Sequence, residues 1–499
     1  MTTIVSDVKD KVQANGSTYG SKSELVLPKF TIAGIFLAVV GMYALVTFGF
    51  SQIALIVGIA SVAGGYMAIN IGANDVANNV GPAVGSGALS LGGAIAIAIV
   101  FESAGALLAG GDVVSTISKG IVDASLIPDS TTFMLAMGSA LLAGALWLNL
   151  ATWVGAPVST THSIVGGVMG GGVAAAGINV IDWNVMSMIA ASWVISPLLG
   201  GLIAAAFLAG IEKSVFSRHD MIAASRRWVP VFLGIMIAAF TMYLMMKGLK
   251  KIWKPGAWII VGTGFFSFLL AQVVLRPVVS KASLSIENRR AGVNQLFNVP
   301  LIFSACLLSF SHGANDVANA VGPLSAIVSA ASSSNIEAKV GIPLWVMVIG
   351  TIGISLGLFL FGAKLIRTVG KQLTSLDQSR AFCVCLSAAI TVIGASALGL
   401  PVSSTHIAIG AVFGIGFYRE MRCNAAHRSR TGLPDFAYRM IKRALPDKSS
   451  SGLRNSQRKP RKLVRRRHLL TILGAWFITV PSAAMISAGL FHLIQSISN

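Results

Sequence analysis

Charged residues are scarce in this chain, and acidic ones are the scarcest. Only 11% of its 499 residues are charged, with 18 Asp and Glu against 38 Lys and Arg, whereas 54% are hydrophobic. Such a chain cannot cover its surface with polar groups in water, which excludes an ordinary soluble domain. The sequence contains no G-x-x-x-x-G-K-[ST] phosphate-binding loop, so it gives no sign of an ATPase. Four cysteines lack the spacing of a zinc site or a disulfide framework and are interpreted as reduced packing residues: Cys306, Cys383, Cys385 and Cys423.

Long apolar stretches are what the chain has instead. Thirteen of them are long enough to cross a bilayer, at about residues 31–50, 54–72, 88–110, 132–152, 157–178, 188–211, 228–247, 257–275, 299–318, 342–363, 381–399, 402–418 and 468–492. The sequence therefore predicts an all-α polytopic protein of the cell membrane with about 12–13 membrane segments. No small-residue cleavage site follows the first span, which predicts that the polar N-terminal tail is retained.

Two polar phrases occur twice in the chain, in the same order. Gly72–Ala83 (GANDVANNVGPA) returns as Gly313–Leu324 (GANDVANAVGPL), and Ala156–Gly170 (APVSTTHSIVGGVMG) returns as Leu400–Gly414 (LPVSSTHIAIGAVFG), at offsets of 241 and 244 residues. Duplicated polar segments that contain glycine, within a hydrophobic chain, are typical of a transporter site built where two repeats meet.

Loop charges predict how the two repeats are oriented. Residues 111–131 are acidic while the matching loop 363–380 is basic, and the short acidic loop around Asp182 is matched by the basic segment 419–467. Because basic loops stay in the cytoplasm, the repeats are predicted to be inverted relative to each other, with broken half-helices meeting at a central site. The loop that contains Lys247 disagrees, since this scheme places its lysines outside.

The same reasoning divides the chain into regions. They are a polar tail at 1–30, an extra membrane helix at 31–50, a first transport repeat at 54–211, connecting helices and loops at 212–298, and a second repeat at 299–492 interrupted by the basic cytoplasmic loop 419–467. This loop holds 16 Lys and Arg against 3 Asp and Glu, so it accounts for most of the net charge of +20. We interpret it as a segment that touches anionic membrane lipids rather than nucleic acid.

Acidic residues inside the predicted spans are few, chiefly Asp75, Glu102 and Asp316. Charges at membrane depth are costly and usually mark an ion pathway or a buried pair. Helix capping is the plain alternative for a single Asp, but recurrence in both repeats disfavours it. The glycines and prolines predict broken helices whose free oxygens suit a small cation such as sodium. The predicted cation-binding residues are Asn74, Asp75, Asn78, Glu102, Asn315, Asp316 and Asn319.

Runs of Ser and Thr follow Pro157 and Pro401. Proline stops a preceding helix, and Ser and Thr favour the start of a new one. A helix start offers unpaired N–H groups and the positive end of the helix dipole, so two facing copies are predicted to surround one oxyanion. The alternative is that the hydroxyls only bond backbone inside packed helices. The predicted substrate-binding residues are Ser159, Thr160, Thr161, Ser403, Ser404 and Thr405.

His162 and His406 follow these runs at the same place in both copies. A proton relay is one interpretation, because histidine titrates near neutral pH. The favoured interpretation is a neutral histidine that bonds a carbonyl group.

These phrases resemble the inorganic phosphate transporter family, also called Pit or Pho-4. The resemblance covers both repeats and extends to Phe101–Gly105 (FESAG) and to Trp193–Pro197 (WVISP), which is echoed by Trp476–Pro481 (WFITVP). It implies uptake of inorganic phosphate driven by an ion gradient. By position, it also implies that Asp75 and Asp316 are functional acidic residues and that the Ser/Thr runs contact phosphate.

The resemblance also bears on the coupling ion. Glu102 follows Asp75 by 27 residues, as a Glu does in sodium-coupled members of the family, which implies sodium. The second repeat has no matching Glu near Ile354, so a symmetric role for Glu102 is not implied. Proton-coupled phosphate or metal-phosphate symport and sulfate transport, both found in this family, stay open.

Two other classes of protein fit part of the pattern. An enzyme would need one privileged set of Ser, His and Asp, whereas here such sets come in near-equal pairs. A cation channel could use acidic residues at membrane depth, but broken helices in both halves favour alternating access. The prediction is therefore a phosphate importer that is no enzyme and needs no cofactor or resident metal, only co-transported sodium or protons. Membrane lipids are expected partners, and a homodimer is compatible with the sequence.

Overall fold

A computed structural model describes residues 26–154, 158–248, 253–332, 341–372, 376–431 and 466–498, and nearly all of them are helical. Within these ranges the only β-pairing is an isolated antiparallel bridge between Val122 and Ile181. The predictions for the N-terminal tail, except its last five residues, and for most of the basic loop lie outside the described residues.

Each predicted region of the chain contains helices. The extra N-terminal helix is α1 (Val26–Phe48). The first repeat contains α2 (Gln52–Asn74), α3 (Val76–Gly85), α4 (Leu91–Ala109), α5 (Gly111–Lys119), α6 (Ser130–Val154), α7 (Thr160–Ala176) and α8 (Trp183–Ile211). The connecting region contains α9 (Met221–Tyr243), α10 (Ala257–Ala282) and α11 (Arg290–Asn294). The second repeat contains α12 (Asn298–Asp316), α13 (Ala318–Ser332), α14 (Leu344–Gly357), α15 (Ala363–Gln372), α16 (Gln378–Ala397), α17 (Ser404–Thr431) and α18 (Arg466–Ser498).

Eleven helical segments within the described part of the chain are long and apolar enough to cross a membrane. The two further predicted spans correspond to α7 and α17, which begin at the Ser/Thr runs. Helix α7 has 17 residues. At about 1.5 Å per residue it falls short of a bilayer core of roughly 30 Å. Its counterpart α17 has 28 residues, which is longer than the core.

The two repeats match helix for helix and pack on each other in an exchanged manner. Helices α2 and α4 of the first repeat pack on α14 and α12 of the second, and α7 and α8 pack on α18 and α17. The first helix of each repeat thus contacts the second spanning helix of the other, and the same exchange occurs at the opposite end. The contacts between the two repeats are therefore reciprocal.

Glycines allow these helices to approach closely. A methyl group added at Gly166 would meet the backbone of Val480, and one added at Gly170 would overlap the carbonyl oxygen of Ala484. Close contact between small residues is the usual source of helix association in membranes, where no hydrophobic driving force acts between helices. Both sets of residue numbers rise together, so α7 and α18 run parallel.

The packing directions agree with the predicted inverted relation. Gly313 lies against Glu102 and Gly110 lies against Val317, so α4 and α12 run parallel. Residues 86–90 form the short loop through which the chain turns back from α3 into α4. The α2–α3 pair is consequently antiparallel to its counterpart, the α12–α13 pair.

A lysine in the loop that disagreed with the predicted orientation is paired with an acidic residue. Lys247, in the last turn after α9, forms an ion pair with Asp112 at the start of α5. The acidic stretch between α4 and α6 therefore neutralises this lysine on the side predicted to face outward. Lys250 and Lys251 lie outside the described residues.

Candidate functional site

Each GAND phrase interrupts its helix at a single residue. Asp75 separates α2 from α3 and keeps right-handed helical angles, with φ −85° and ψ −32°; Val317 separates α12 from α13 with φ −56° and ψ −30°. The amide of Asn78 bonds the carbonyl of Asp75 at 3.0 Å, which is the tighter spacing of a 3₁₀ turn. The predicted breaks are thus present as single tight turns rather than unwound stretches, because the local backbone stays helical.

The Ser/Thr runs begin α7 and α17 as predicted. The hydroxyl of Ser159 accepts a hydrogen bond from the amide of His162 at 3.2 Å, and Ser403 does the same for His406 at 3.3 Å. Both serines are therefore helix N-caps, which satisfy amides that a helix start leaves unpaired. Pro157 lies outside the described residues.

The two repeats meet at the carboxylate of Asp75. One of its oxygens accepts a hydrogen bond from Thr160 of the first repeat at 2.6 Å, and the other accepts one from Thr405 of the second repeat at 3.2 Å. The side chain is 4% exposed, so these bonds form away from bulk solvent. A predicted cation residue and two predicted substrate residues are thus brought together.

Two further asparagines cross between the repeats. Asn78 of α3 donates a hydrogen bond to Thr405 at 2.9 Å, and Asn319 of α13 donates one to Thr161 at 3.2 Å. The hydroxyl of Thr161 in turn donates to the carbonyl of Val402 at 3.1 Å. Each broken helix therefore holds the half-helix start of the other repeat.

Asp316 is the second buried carboxylate, and it is 1% exposed. One ligand atom from each of Asp75, His312 and Asp316 lies within 4.8 Å of the other two. Nε2 of His312 lies 3.0 Å from Oδ2 of Asp316, yet without hydrogen-bond geometry. Neither carboxylate oxygen of Asp316 has a hydrogen-bond partner among the described residues. This arrangement leaves oxygen atoms available for one bound cation.

His312 was not predicted, and it links Glu102 to this group. Its Nδ1 lies 2.7 Å from Oε2 of Glu102, whose other oxygen accepts a hydrogen bond from Asn79 at 2.7 Å. Glu102, predicted as a cation ligand, thus reaches Asp316 only through the histidine.

A signal for His312 exists in the differences between the two copies of the first phrase. Aligned on GANDVAN, His312 takes the place of Ile71, and Asn79 takes the place of Ala320. A search for what the two copies share passes over His312 and Asn79. A search for polar residues that occur in one copy only would have found both.

Asn315 lies outside the Asp75, His312 and Asp316 group, although it was predicted to bind a cation. Its side-chain amide donates to the hydroxyl of Ser396 at 2.9 Å and to the carbonyl of Leu400 at 3.1 Å, and its oxygen accepts from the amide of Val402 at 3.2 Å. It therefore clamps the extended segment that leads into α17.

Asn74 has a similar local partner, since its oxygen accepts a hydrogen bond from Thr152 at 3.1 Å. Thr152 lies near the end of α6, as Ser396 lies near the end of α16. In both repeats the first asparagine of the GAND phrase thus bonds the helix that precedes the half-helix. Neither asparagine shares the cation group.

Ser404 differs from the other five predicted substrate residues. Its hydroxyl is buried and has no hydrogen-bond partner within the described part of the chain, whereas the others cap a helix, bond Asp75 or bond a carbonyl. A buried hydroxyl without a partner is costly, so a ligand that fills this place would satisfy it.

His162 and His406 pack ring against ring, with centroids 4.7 Å apart, and His162 also packs on Trp193 at 3.9 Å. Trp193 donates from its indole N–H to the carbonyl of Pro401 at 3.1 Å. The ring nitrogens of His162 have no hydrogen-bond partner among the described residues, so this histidine does not bond a carbonyl as expected. Both histidines lie in the first turns of α7 and α17.

Paired half-helix starts that meet at buried carboxylates, inside a bundle of membrane helices built from two repeats, define a secondary transporter. Residues 71–487 match the model of the phosphate transporter family. The chain belongs to this family, whose members are transporters rather than enzymes.

Individual relatives agree with this assignment. The chain is 46% identical over 502 residues to a provisionally named phosphate permease of Helicobacter pylori strain J99, covering 93% of this chain and 94% of that protein. It is 34% identical over 430 residues to a provisionally named permease of Pyrococcus abyssi, covering 86% and 95%. A solved structure described as the sodium-dependent phosphate transporter matches with a TM-score of 0.76 and 36% identity, covering 89% of this chain and 99% of that one. The predicted family and the multi-pass membrane location are confirmed.

Proposed function

We propose that this protein imports inorganic phosphate together with sodium. Membership of the phosphate transporter family supports the substrate. The observation that supports the cation is the pair of buried carboxylates, Asp75 and Asp316, which come within reach of one ion. The solved relative described as sodium-dependent supports the choice of ion.

The charges around the site explain why phosphate needs a companion cation. Asp75, Glu102 and Asp316 are buried, and within the described part of the chain no Lys or Arg contacts any of them. An anion that enters this region meets like charge in a medium of low dielectric constant, which is strongly unfavourable. A cation bound at the two aspartates removes that repulsion, so each ligand should strengthen the binding of the other by the same factor.

Sodium suits the donor atoms. The carboxylate oxygens of Asp75 and Asp316 and the hydroxyls of Thr160 and Thr405 are hard oxygen ligands of the type that small alkali and alkaline-earth cations prefer. Phosphate then lies at the starts of α7 and α17, where the amides and the hydroxyl of Ser404 face it. In this proposal Asn74 and Asn315 position the half-helices rather than bind the cation.

Proton coupling is the second candidate, and His312 is the observation that favours it. The ring lies between Glu102 and Asp316, at 2.7 Å and 3.0 Å from the two carboxylates. A proton on this histidine would balance one carboxylate without a metal ion. Sodium remains the first candidate because Asp75 has no such neighbour in its own repeat, where Ile71 occupies the matching position.

Purified protein in liposomes decides between these candidates. We expect labelled phosphate to accumulate when an inward sodium gradient is imposed, and to saturate with phosphate concentration. Accumulation that ignores sodium but follows a pH gradient would replace sodium with protons. Stronger uptake of sulfate than of phosphate would refute the substrate, and an unsaturable flux would indicate a channel.

Asp316→Asn tests the cation site directly, because it keeps the size of the side chain and removes its charge. We expect the sodium concentration for half-maximal uptake to rise roughly ten- to hundredfold, the effect of losing one charge-assisted contact. Glu287→Gln removes a surface carboxylate that is 72% exposed and serves as the control. Unchanged sodium dependence in Asp316→Asn would contradict the proposed cation site.

A further inference from the structure

We propose that α5 is the outer gate of this transporter and that the ion pair between Asp112 and Lys247 is its latch. The inference rests on the proposed transport function and names the element that closes the outer path. The sides of the membrane are those that the loop charges predict.

Two short helices cover the site from opposite sides. Helix α5 follows the second spanning helix of its repeat and packs on α13, and its counterpart α15 follows α14 and packs on α3. Helices α13 and α3 carry Asn319 and Asn78, which bond the threonines of the site. In the proposed gate, a path from either face to those threonines passes under one of these two covers.

Helix α13, under the outer cover, is more completely buried than α3, under the inner cover. Every residue of α13 from Ala318 to Ala330 is buried, whereas Asn78, Val84 and Gly85 of α3 are partly exposed. A methyl group added at Gly322 of α13 would overlap a side chain of α5, so these helices are in close contact. The broken helix on the outer side is thus more shielded from solvent than the one on the inner side.

The ion pair ties the outer cover to helices that belong to neither repeat. Asp112 lies in the first turn of α5, and Lys247 lies after α9 of the connecting region. Their side chains are only 29% and 13% exposed. Removing one partner of such a pair leaves the other charge partly desolvated, so the pair resists separation more than a surface pair does.

The inner cover cannot form the same pair. When the repeats are aligned on Gly110 and Gly362, which precede the two covers, Lys364 of α15 takes the place of Asp112. Lys364 has the same sign of charge as Lys247. The Asp112–Lys247 pair therefore belongs to the outer gate. To load phosphate from the outer side, the protein must break this ion pair. The latch therefore shifts the resting population of conformations towards the inward-facing one.

A cysteine beneath the gate reports this opening. Ser325 of α13 is 5% exposed, lies one turn beyond Gly322, and its hydroxyl bonds only the carbonyl of that glycine. Ser325→Cys is made in a background of Cys423→Ser, because Cys423 is exposed and the other three cysteines are buried. A membrane-impermeant maleimide is then applied to intact cells and, separately, to inside-out vesicles.

We expect slow labelling from outside in the parent protein and labelling about tenfold faster after Lys247→Gln or Asp112→Asn, the change for one partly buried ion pair. Exchanging the two charges, with Asp112→Lys and Lys247→Asp together, should return the rate towards the parent value. The same exchange at the exposed pair of Glu287 and Arg289 is the control and should change nothing.

Equal labelling rates in all variants would overturn the latch, as would an exchanged pair that labels as fast as the single variants. Labelling only in inside-out vesicles would overturn the outer position of the gate. Phosphate uptake is measured on the same preparations. If uptake fails while the latch still controls labelling, the proposed substrate is wrong and the gate stands.

Discussion

Replacing Asn315 with alanine should destabilise the protein and weaken phosphate uptake without any direct loss of a sodium ligand. The side chain is 1% exposed and bonds Ser396, Leu400 and Val402. Alanine removes all three bonds and leaves a buried carbonyl and a buried amide without partners. The extended segment before α17 would lose its main clamp.

The magnitude follows from counting these bonds. Each of the two orphaned buried groups costs about 1–3 kcal/mol, so the loss should be roughly 2–6 kcal/mol. Asn74→Ala is the matched comparison, because Asn74 is only partly buried and accepts one bond, from Thr152. Its loss should be about 0.5–1.5 kcal/mol.

Thermal unfolding in detergent measures the difference, once in sodium-free buffer and once with sodium and phosphate. A clamp predicts that Asn315→Ala lowers the midpoint more than Asn74→Ala in both buffers. A sodium ligand predicts that the two variants differ only when sodium is present. The second result, or equal midpoints throughout, would refute the assignment of Asn315 as a clamp.

Two other expectations follow from the structure. Ser404→Ala should weaken phosphate binding by about 1.5–3 kcal/mol, the value for a hydrogen bond to a charged group. It should leave the unfolding midpoint nearly unchanged, since the hydroxyl has no partner to lose among the described residues. Isothermal titration with phosphate measures the affinity, and normal affinity would exclude Ser404 from the site. Gly170→Ala should separate α7 from the backbone of Ala484 and lower the yield of folded protein. Gly138→Ala should not, because the added methyl group meets no atom within 4 Å. Matching gel-filtration profiles of the two variants would contradict this expectation.

Repetition made part of the site predictable from sequence. Asp75, Asp316 and the two half-helix starts recur in equivalent phrases, and the structure brings them together. Repetition also predicted both asparagines of each phrase as ligands, whereas the structure gives the first asparagine of each phrase hydrogen-bond partners outside the Asp75, His312 and Asp316 group. Residue type shows that Asn315 needs hydrogen bonds, but only the folded backbone shows that the partners lie before α17.

His312 was missed for the opposite reason. It occurs in one copy only, so a method that looks for likeness between repeats passes over it. Its role depends on the close approach of α4 to α12, where Gly313 lies against Glu102, and such an approach cannot be derived from residue spacing. The lipid contacts of the basic loop and the homodimer stay predictions.

The exchanged packing of the repeats also has a consequence for how the protein is made. The glycine face of α7, with Gly166 and Gly170, has its partner in α18, the last helix described. The ribosome makes that partner after all the other described helices, and until then α7 lacks its closest neighbour. Packing around α7 should therefore be completed only once α18 has been made, and a nascent chain that stops before α18 would present an incomplete first repeat to the quality-control proteases of the cell.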